Sequence, residues 1–191
     1  MKKKLFILAS LIICLTTIAT GTLAYFTAED QAHNIITSGK VDISLVETKV
    51  NEDGNEEPFE DLIGIMPGTS VSKVVQVTNT GDAAAYIRIA VDKKIILASG
   101  NDDEVDMSLI SINYNIGSNE DQWTYKEGYY YYNSPIKAGD ITKPLFTEVT
   151  FDKTMGNKYQ EATTEIDVKA YATQVANNGD NVFDAKGWPE E

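Results

Sequence analysis

The sequence predicts an all-β fold, a sandwich of two antiparallel sheets of the jelly-roll or immunoglobulin-like type. Apolar and polar residues alternate with a period of two in six segments of the chain. Stretches rich in Gly, Asn, Asp and Pro separate these segments, and no long amphipathic helical pattern competes with them. Short strands of this kind bury their apolar faces by packing two sheets together.

The first three alternating segments, VDISLVE, SVSKVVQVTN and AAYIRIAVD, each predict a strand with one apolar face. Lys73 interrupts the apolar face of the second segment. In the third, Tyr86, Arg88 and Asp92 are expected to face outward. The positions expected to face the core are Val41, Ile43, Leu45, Val71, Val75, Val77, Ile87, Ile89 and Val91.

The later segments LISINYNI, PLFTEVTF and TEIDVKAYATQV predict three more strands. Between them, QWTYK and GYYYYN predict a hairpin of two short strands. The inward positions of the three longer segments are Ile110, Ile112, Tyr114, Ile116, Leu145, Thr147, Val149, Phe151, Ile166, Val168, Ala170 and Ala172.

The four consecutive tyrosines, Tyr129 to Tyr132, are open to two interpretations. On a strand, Tyr129 and Tyr131 share one face and Tyr130 and Tyr132 the other, so one pair is expected in the core and the other at the surface. The exposed pair is either a consequence of the β-propensity of aromatic residues or a contact for another subunit or a carbohydrate.

Residues 1–24 are predicted to be a secretory signal peptide that is cleaved between Ala24 and Tyr25. Three lysines precede the apolar run LFILASLIICLTTIA, and the small residues of TGTLA follow it. The alternative is an uncleaved anchor helix, but the run is short for a bilayer span. Cys14, the only cysteine, lies in this leader, so no disulfide is expected in the mature chain.

Composition restricts the partners of the mature protein. Removing the three lysines of the leader takes the net charge from −13 to −16, which argues against nucleic acid because phosphate binding needs a basic surface. No second apolar run is long enough for a stable membrane span. The protein is therefore expected to be secreted, either free or held at the cell surface by other proteins.

The sequence favours a non-enzymatic role and no cofactor. His33 is the only histidine and no His-Glu-x-x-His zinc motif is present, so neither a zinc peptidase nor any other site with two imidazoles fits. The acidic clusters lie in turn-like stretches, where carboxylates stay solvated and ionised. Asp180 and Asp184 are the best candidates for a weak calcium site, but neither belongs to an EF-hand loop.

Three stretches resemble the TasA and camelysin (CalY) family, exported proteins of Gram-positive bacteria with SipW-dependent signal peptides. The first is TGTLAYFTAEDQAHNIITSGKVDISL, with Tyr25 and Phe26 just past cleavage and a Ser-Gly-Lys-Val-Asp turn into the first strand. The second is IMPGTSVSKVVQVTNTGDAAAYIRI, and the third is EIDVKAYATQVANN followed by FDAKGW. The middle of the chain, from about residue 93 to 160, shows no such resemblance.

The resemblance implies a jelly-roll or immunoglobulin-like sandwich that a dedicated signal peptidase releases and that polymerises with itself or with related matrix proteins. Residues 25–40 would then be a mobile N-terminal segment, a candidate donor strand, and residues 41–191 the sandwich domain. The residues expected to contact the next subunit are Tyr25, Phe26, Ala28, Ala32, Ile35 and Ile36. The alternatives are a frayed N-terminus, a monomeric module that binds polysaccharide or a surface protein, and a camelysin-like metallopeptidase.

Overall fold

The computed structural model describes residues 40–60, 67–98 and 105–189. The predicted leader, its cleavage site and most of the N-terminal segment lie outside these residues and stay predictions. The described part of the chain forms nine strands and two 3-10 helices. The strands are β1 (Ile43–Val50), β2 (Glu56–Pro58), β3 (Ser70–Asn79), β4 (Ala85–Ile96), β5 (Ile110–Ile112), β6 (Trp123–Lys126), β7 (Tyr129–Tyr132), β8 (Phe146–Phe151) and β9 (Thr163–Gln174), and the helices are η1 (Met107–Leu109) and η2 (Asn157–Tyr159).

The strands form two antiparallel sheets, which confirms the predicted all-β sandwich. The larger sheet has the order β2-β1-β3-β8-β5 and the smaller one the order β6-β7-β4-β9. The longest pairing joins β4 to β9 through twelve residue pairs. By contrast, β7 pairs with β4 only at Arg88 and Ile89. At the two edges of the smaller sheet lie the short strand β6 and the long strand β9.

The core lies between the two sheets and contains side chains from both. Ile87 and Ile89 of β4 are completely buried, as are Val75 and Val77 of β3. Trp123 is also buried, and its indole Nε1 donates a hydrogen bond to the carbonyl of Lys143 at 3.1 Å. The inward positions expected from the alternation in β3 and β4 are thus confirmed where the two strands cross the core.

Lys73 interrupts the apolar face of β3, as expected, and neighbouring side chains stabilise its buried ammonium group. Lys73 is 5% exposed, its Nζ lies 3.0 Å from the Glu47 carboxylate, and it stands 3.8 Å from the centroid of the Phe59 ring. A buried ammonium without a partner would cost several kcal/mol, so the carboxylate and the ring are what make this position tolerable.

The expectation for β8 was partly wrong. Thr147 was assigned to the core face, but it is exposed, whereas Phe146 is completely buried. The alternation of β8 is interrupted at Thr147 and Glu148, which are both exposed, and the pairing of β8 with β3 is also irregular there, between Ser72 and Val75. The side chain of Asn113 accepts the amide N–H groups of Thr147 and Glu148 at this irregularity, at 2.9 and 2.7 Å.

Two other positions differ from expectation, Ile116 in its orientation and Tyr86 in its burial. Ile116 was placed in the core, but β5 ends at Ile112 and Ile116 is 49% exposed. The chain turns away because Tyr114 and Ile116 donate backbone bonds to residues two positions earlier. Tyr86 was placed outward, and although it lies on the outer face of β4 it is only 4% exposed. A second hydrophobic cluster covers it there.

The register of β8 gives a direct test by two neighbouring substitutions. Phe146→Ala should lower the free energy of unfolding by about 3–5 kcal/mol, since it leaves a cavity in the core. Thr147→Ala removes an exposed hydroxyl that accepts one bond from Asn113, which is worth about 0.5–1.5 kcal/mol. Urea unfolding of both variants would measure the difference, and equal losses would contradict the register described above.

Candidate interaction surfaces

The site residues predicted from the N-terminal sequence lie outside the described residues. They are the cleavage pair Ala24 and Tyr25 and the expected subunit contacts Tyr25, Phe26, Ala28, Ala32, Ile35 and Ile36. His33, for which no catalytic or zinc-binding role is expected, lies outside the described residues too. These assignments stay predictions. Two features of the described part bear on them: the edge strand β9 and the place where the chain enters β1.

Strand β9 is a long edge with a partly uncovered apolar face. It pairs with β4 along one side, and among the described residues no strand pairs with its other side. The inward residues Ile166, Val168, Ala170 and Ala172 are only half-buried, whereas Ile87 and Ile89, opposite the two alanines on β4, are fully buried. The core is therefore less well covered along β9 than one strand further in.

The chain enters β1 through a second distinct site, where two turns that were recognised separately in the sequence lie side by side. The amide groups of Thr80 and Gly81 both donate to the carbonyl of Asp42 at 3.0 Å. The amide of Asp82 donates to the carbonyl of Lys40 at 3.1 Å, and the Asp82 carboxylate accepts the Lys40 amide in return. Residues 40–42 thus extend the pairing of β1 with β3 beyond its last strand pair.

Charge reinforces this entry site only weakly. Lys40 Nζ lies 2.7 Å from the Asp42 carboxylate, a bond that raises the pKa of the lysine and lowers that of the aspartate. Both side chains are well exposed, at 72% and 47%. Solvent screens such a pair, so the backbone hydrogen bonds are the stronger contribution.

The hairpin β6–β7 places the four tyrosines on both faces of the smaller sheet, as the alternation predicted. Tyr130 and Tyr132 face the main core, where Tyr130 stacks on Tyr114 with ring centroids 4.5 Å apart. Burial raises the pKa of both Tyr114 and Tyr130, so these hydroxyls stay protonated in the physiological range. Tyr129 and Tyr131 face the opposite side.

The expectation of an exposed tyrosine pair is wrong for Tyr131, because the C-terminal segment, residues 175–189, lies over the outer face. Tyr131 is 8% exposed and packs with Tyr86 and Val182, which is 1% exposed. Trp188 contacts the ring of Tyr131 edge-on, with centroids 5.9 Å apart. The surface contact or carbohydrate platform considered for this pair is therefore occupied by the protein's own chain.

Arg88 lies in the same outer layer. Its guanidinium carbon lies 3.9 Å from the Tyr129 ring centroid and 4.8 Å from that of Trp188. Stacking of this kind lets a cation remain at a partly buried position because the ring faces are electron-rich. Arg88 and the rings together fix the end of the C-terminal segment on the sheet.

Asn178 fastens the beginning of the C-terminal segment. Its Nδ2 lies within 3.0 Å of Thr173 Oγ1 and of the carbonyls of Gln174 and Lys186, and its Oδ1 accepts the Lys186 amide at 2.7 Å. One amide side chain thus joins the end of β9 to the part of the segment that returns over the sheet.

The acidic candidates for calcium are exposed and partly engaged. The Asp184 carboxylate accepts a hydrogen bond from the side-chain amide of Asn181 at 2.5 Å, and Asp180 lies in the same turn. Among the described residues no group of three or more His, Cys, Asp or Glu side chains could hold a metal ion. The weak calcium site stays a prediction.

Two further observations concern the described residues as a whole. No helix among them is long and apolar enough to cross a membrane. Two depressions on their surface are open to solvent, one of about 300 Å³ beside Asp92, Gly128, Asp167 and Lys169 and one of about 130 Å³ beside Lys49 and Glu57.

The outer aromatic cluster was missed from sequence, although a signal for it existed. A run of four tyrosines is apolar on both faces, and so it needs a cover on each side of its sheet. Trp188 and Val182, which supply the second cover, were assigned to no apolar face because charged and small residues surround them in the sequence.

Comparison with known proteins does not extend this description. No protein-family model matches the chain, and a search of curated proteins found no significant match.

The fastening of the C-terminal segment can be tested at Asn178. Asn178→Ala removes the side-chain bonds that join β9 to Lys186, and the exposed Asn157→Ala in η2 is the matched control. The first variant should lose about 1–3 kcal/mol of stability and be cut faster by protease between residues 175 and 189. Protection of the segment at the wild-type level in Asn178→Ala would show that the tyrosine cluster alone holds it.

Proposed function

We propose that this is a secreted structural protein of the cell surface or biofilm matrix of a Gram-positive bacterium. Its subunits join into filaments when the N-terminal segment of one copy adds to the sheet edge of the next. The single observation on which this rests is the edge of β9, which is twelve residues long and has a half-buried apolar inner face.

An open edge of this kind is suited to receive an extended peptide. The backbone N–H and C=O groups of an edge strand supply hydrogen bonds, and alternate side chains of the added strand occupy the uncovered part of the core. On β9 the small side chains of Ala170 and Ala172 are half-buried and stand opposite the fully buried Ile89 and Ile87. The affinity would come from the backbone bonds and the register from the apolar positions.

The proposed donor matches this edge in length and in pattern. Residues 25–36 number twelve, the same as β9, and a strand of that length spans about 40 Å. If the segment is extended, Phe26, Ala28, Ala32 and Ile36 fall on one face, with the polar Asp30 and Asn34 between them. That face would complete the inner layer of the smaller sheet.

The mode of contact leads from a pair of subunits to a fibre. A segment from one copy that binds an edge on the next is a head-to-tail contact, which does not close unless the rotation happens to form a ring. The resemblance to the TasA and camelysin family supports the same role, since that family implies export, a dedicated signal peptidase and assembly by strand donation.

Deleting residues 25–36 should give a folded monomer that cannot polymerise. The core cluster of the described residues draws on side chains between Val41 and Ala172, all of which the deletion retains. Thermal unfolding should therefore remain cooperative, while electron microscopy and sedimentation should show no fibres. A synthetic peptide of residues 25–36 should bind the deleted protein and raise its Tm by mass action. Fibres formed by the deleted protein would refute strand donation.

A charge on the inner face of β9 should block acceptance of the donor without unfolding the domain. In Ala170→Lys the long side chain can extend to solvent while the edge is open, but a docked strand would bury its ammonium. Binding of the peptide should fall by at least about tenfold, since burying a polar group without a partner costs at least 1.4 kcal/mol.

The control for this test is Lys169→Ala, on the opposite face of the same strand. Lys169 is exposed and pairs across the sheet with Ala90, so its removal should leave peptide binding unchanged. Equal effects of the two variants would place the binding site elsewhere. A wild-type mature protein that stays monomeric at all concentrations would instead favour the monomeric binding module.

A further inference from the structure

The entry to β1 is more tightly built than a strand end requires. The turn of residues 79–82 holds residues 40–42 through three backbone N–H donors and the Asp82 carboxylate. We call this contact the 79–82 clamp. Residues 40–42 follow the proposed donor, residues 25–36, after only three residues, so the clamp holds the chain close to the root of that donor.

Gly81 shows how close the two chains approach. A Cβ added to Gly81 would lie 2.3 Å from the carbonyl oxygen of Lys40 and 2.7 Å from the amide nitrogen of Asp42. Both of these are backbone atoms, so a larger residue could be accommodated only if residues 40–42 moved away. The backbone conformation of Gly81 itself is open to other residues, since its φ lies outside the left-handed region.

The clamp is anchored in the core by Asn79. This side chain is completely buried, with its Nδ2 donating to the carbonyls of Ala83 and Ile136 and its Oδ1 accepting the Gly81 amide. The turn therefore has a fixed position relative to β3 and β4 before the N-terminal chain contacts it. Because the turn is fixed in this way, residues 40–42 are bound at a defined position at the end of the domain.

We infer that the 79–82 clamp is a positioning device for assembly, which holds the root of the donor segment so that the segment extends from a fixed point toward a neighbouring subunit. This inference rests on the proposed function. The physical reason is entropic: residues ordered before docking do not have to be ordered during it. Each residue released from the clamp and fixed again on docking would weaken donation about tenfold.

The clamp also fixes a direction. Because residues 40–42 continue the β1–β3 ladder, the backbone at Lys40 runs along the strand axis and past the end of β3. Strand β9 ends at this same end of the sandwich, since its Gln174 pairs with Ala85 and Ala85 bonds to Ile136. A segment held straight at Lys40 would have to reverse to reach β9 of its own domain, so the clamp favours donation to another copy.

The test compares Gly81→Ala with Gly156→Ala in the mature exported protein. At Gly156 an added Cβ meets nothing within 4 Å, so this variant makes the same chemical change without displacing a chain. Gly81→Ala should nucleate and extend fibres at least about tenfold more slowly than wild type, because at least one residue must be reordered at docking. Gly156→Ala should assemble at the wild-type rate.

A second measurement separates donation from acceptance. Gly81→Ala retains β9, so it should bind the free peptide of residues 25–36 with wild-type affinity and should cap fibres of the wild-type protein. Hydrogen exchange at Thr80 and Asp82 should become faster in the variant, because these two amides lose their acceptors on Asp42 and Lys40, whereas the Gly81 amide keeps Asn79 Oδ1. Asp82→Ala removes the carboxylate that accepts the Lys40 amide but adds no atom to the contact, so it should slow assembly less than Gly81→Ala does. It replaces Gly81→Ala in the test if that variant does not fold.

The outcomes distinguish this inference from the proposed function. If wild type forms fibres and both Gly81→Ala and Asp82→Ala form them equally fast, the clamp has no role in assembly and the inference is wrong. If Gly81→Ala fails to bind the free peptide, its defect lies in acceptance, which also overturns the inference. If wild type forms no fibres, the proposed function itself fails, and the clamp inference fails with it.

Discussion

The twelve-residue pairing of β4 with β9 is the constraint on which the rest of the structure depends. It makes β4 an inner strand of the smaller sheet. Both faces of β4 carry large side chains, and each face is covered. The inner face packs Ile87 and Ile89 against the larger sheet, and the outer face, with Tyr86 and Arg88, is covered by the C-terminal segment. Because β4 takes up one side of β9 completely, the other side of β9 becomes the long edge.

Strand alternation predicted the fold because it reports a local property, the side of the sheet on which a residue lies. Ile87 and Ile89 faced the core as expected, since nothing disturbs the pleat of β4. The same argument failed at Thr147, because the amides of Thr147 and Glu148 both donate to the side chain of Asn113 and the alternation of β8 is interrupted there. At Tyr86 it gave the correct face but not the burial, because the cover comes from residues almost a hundred positions later in the chain.

The candidate site was only partly predictable for the same reason. The turns SGKVD and NTGD could each be recognised in the sequence, and the resemblance named both, but no local pattern states that they touch. Their contact consists of backbone hydrogen bonds, which leave no trace in side-chain chemistry. Only the structure shows that Gly81 reflects this contact, because a Cβ there would meet the backbone of residues 40–42, whereas in the sequence a glycine in a turn is ordinary. The edge of β9 was equally hidden, since strand order is a property of the whole sheet.

An open apolar edge is a hazard for any protein, because it can pair with other extended chains. The outer face of β9 counters this with the exposed residues Glu165, Asp167 and Lys169, and Asp167 stands directly opposite Asp92 on β4. The predicted mature charge of −16 adds a general repulsion between subunits that salt screens. A donor therefore has to compensate for this repulsion with matched apolar contacts on the inner face of β9. Selectivity in such an edge comes from making non-specific pairing unfavourable while leaving one apolar pattern able to bind.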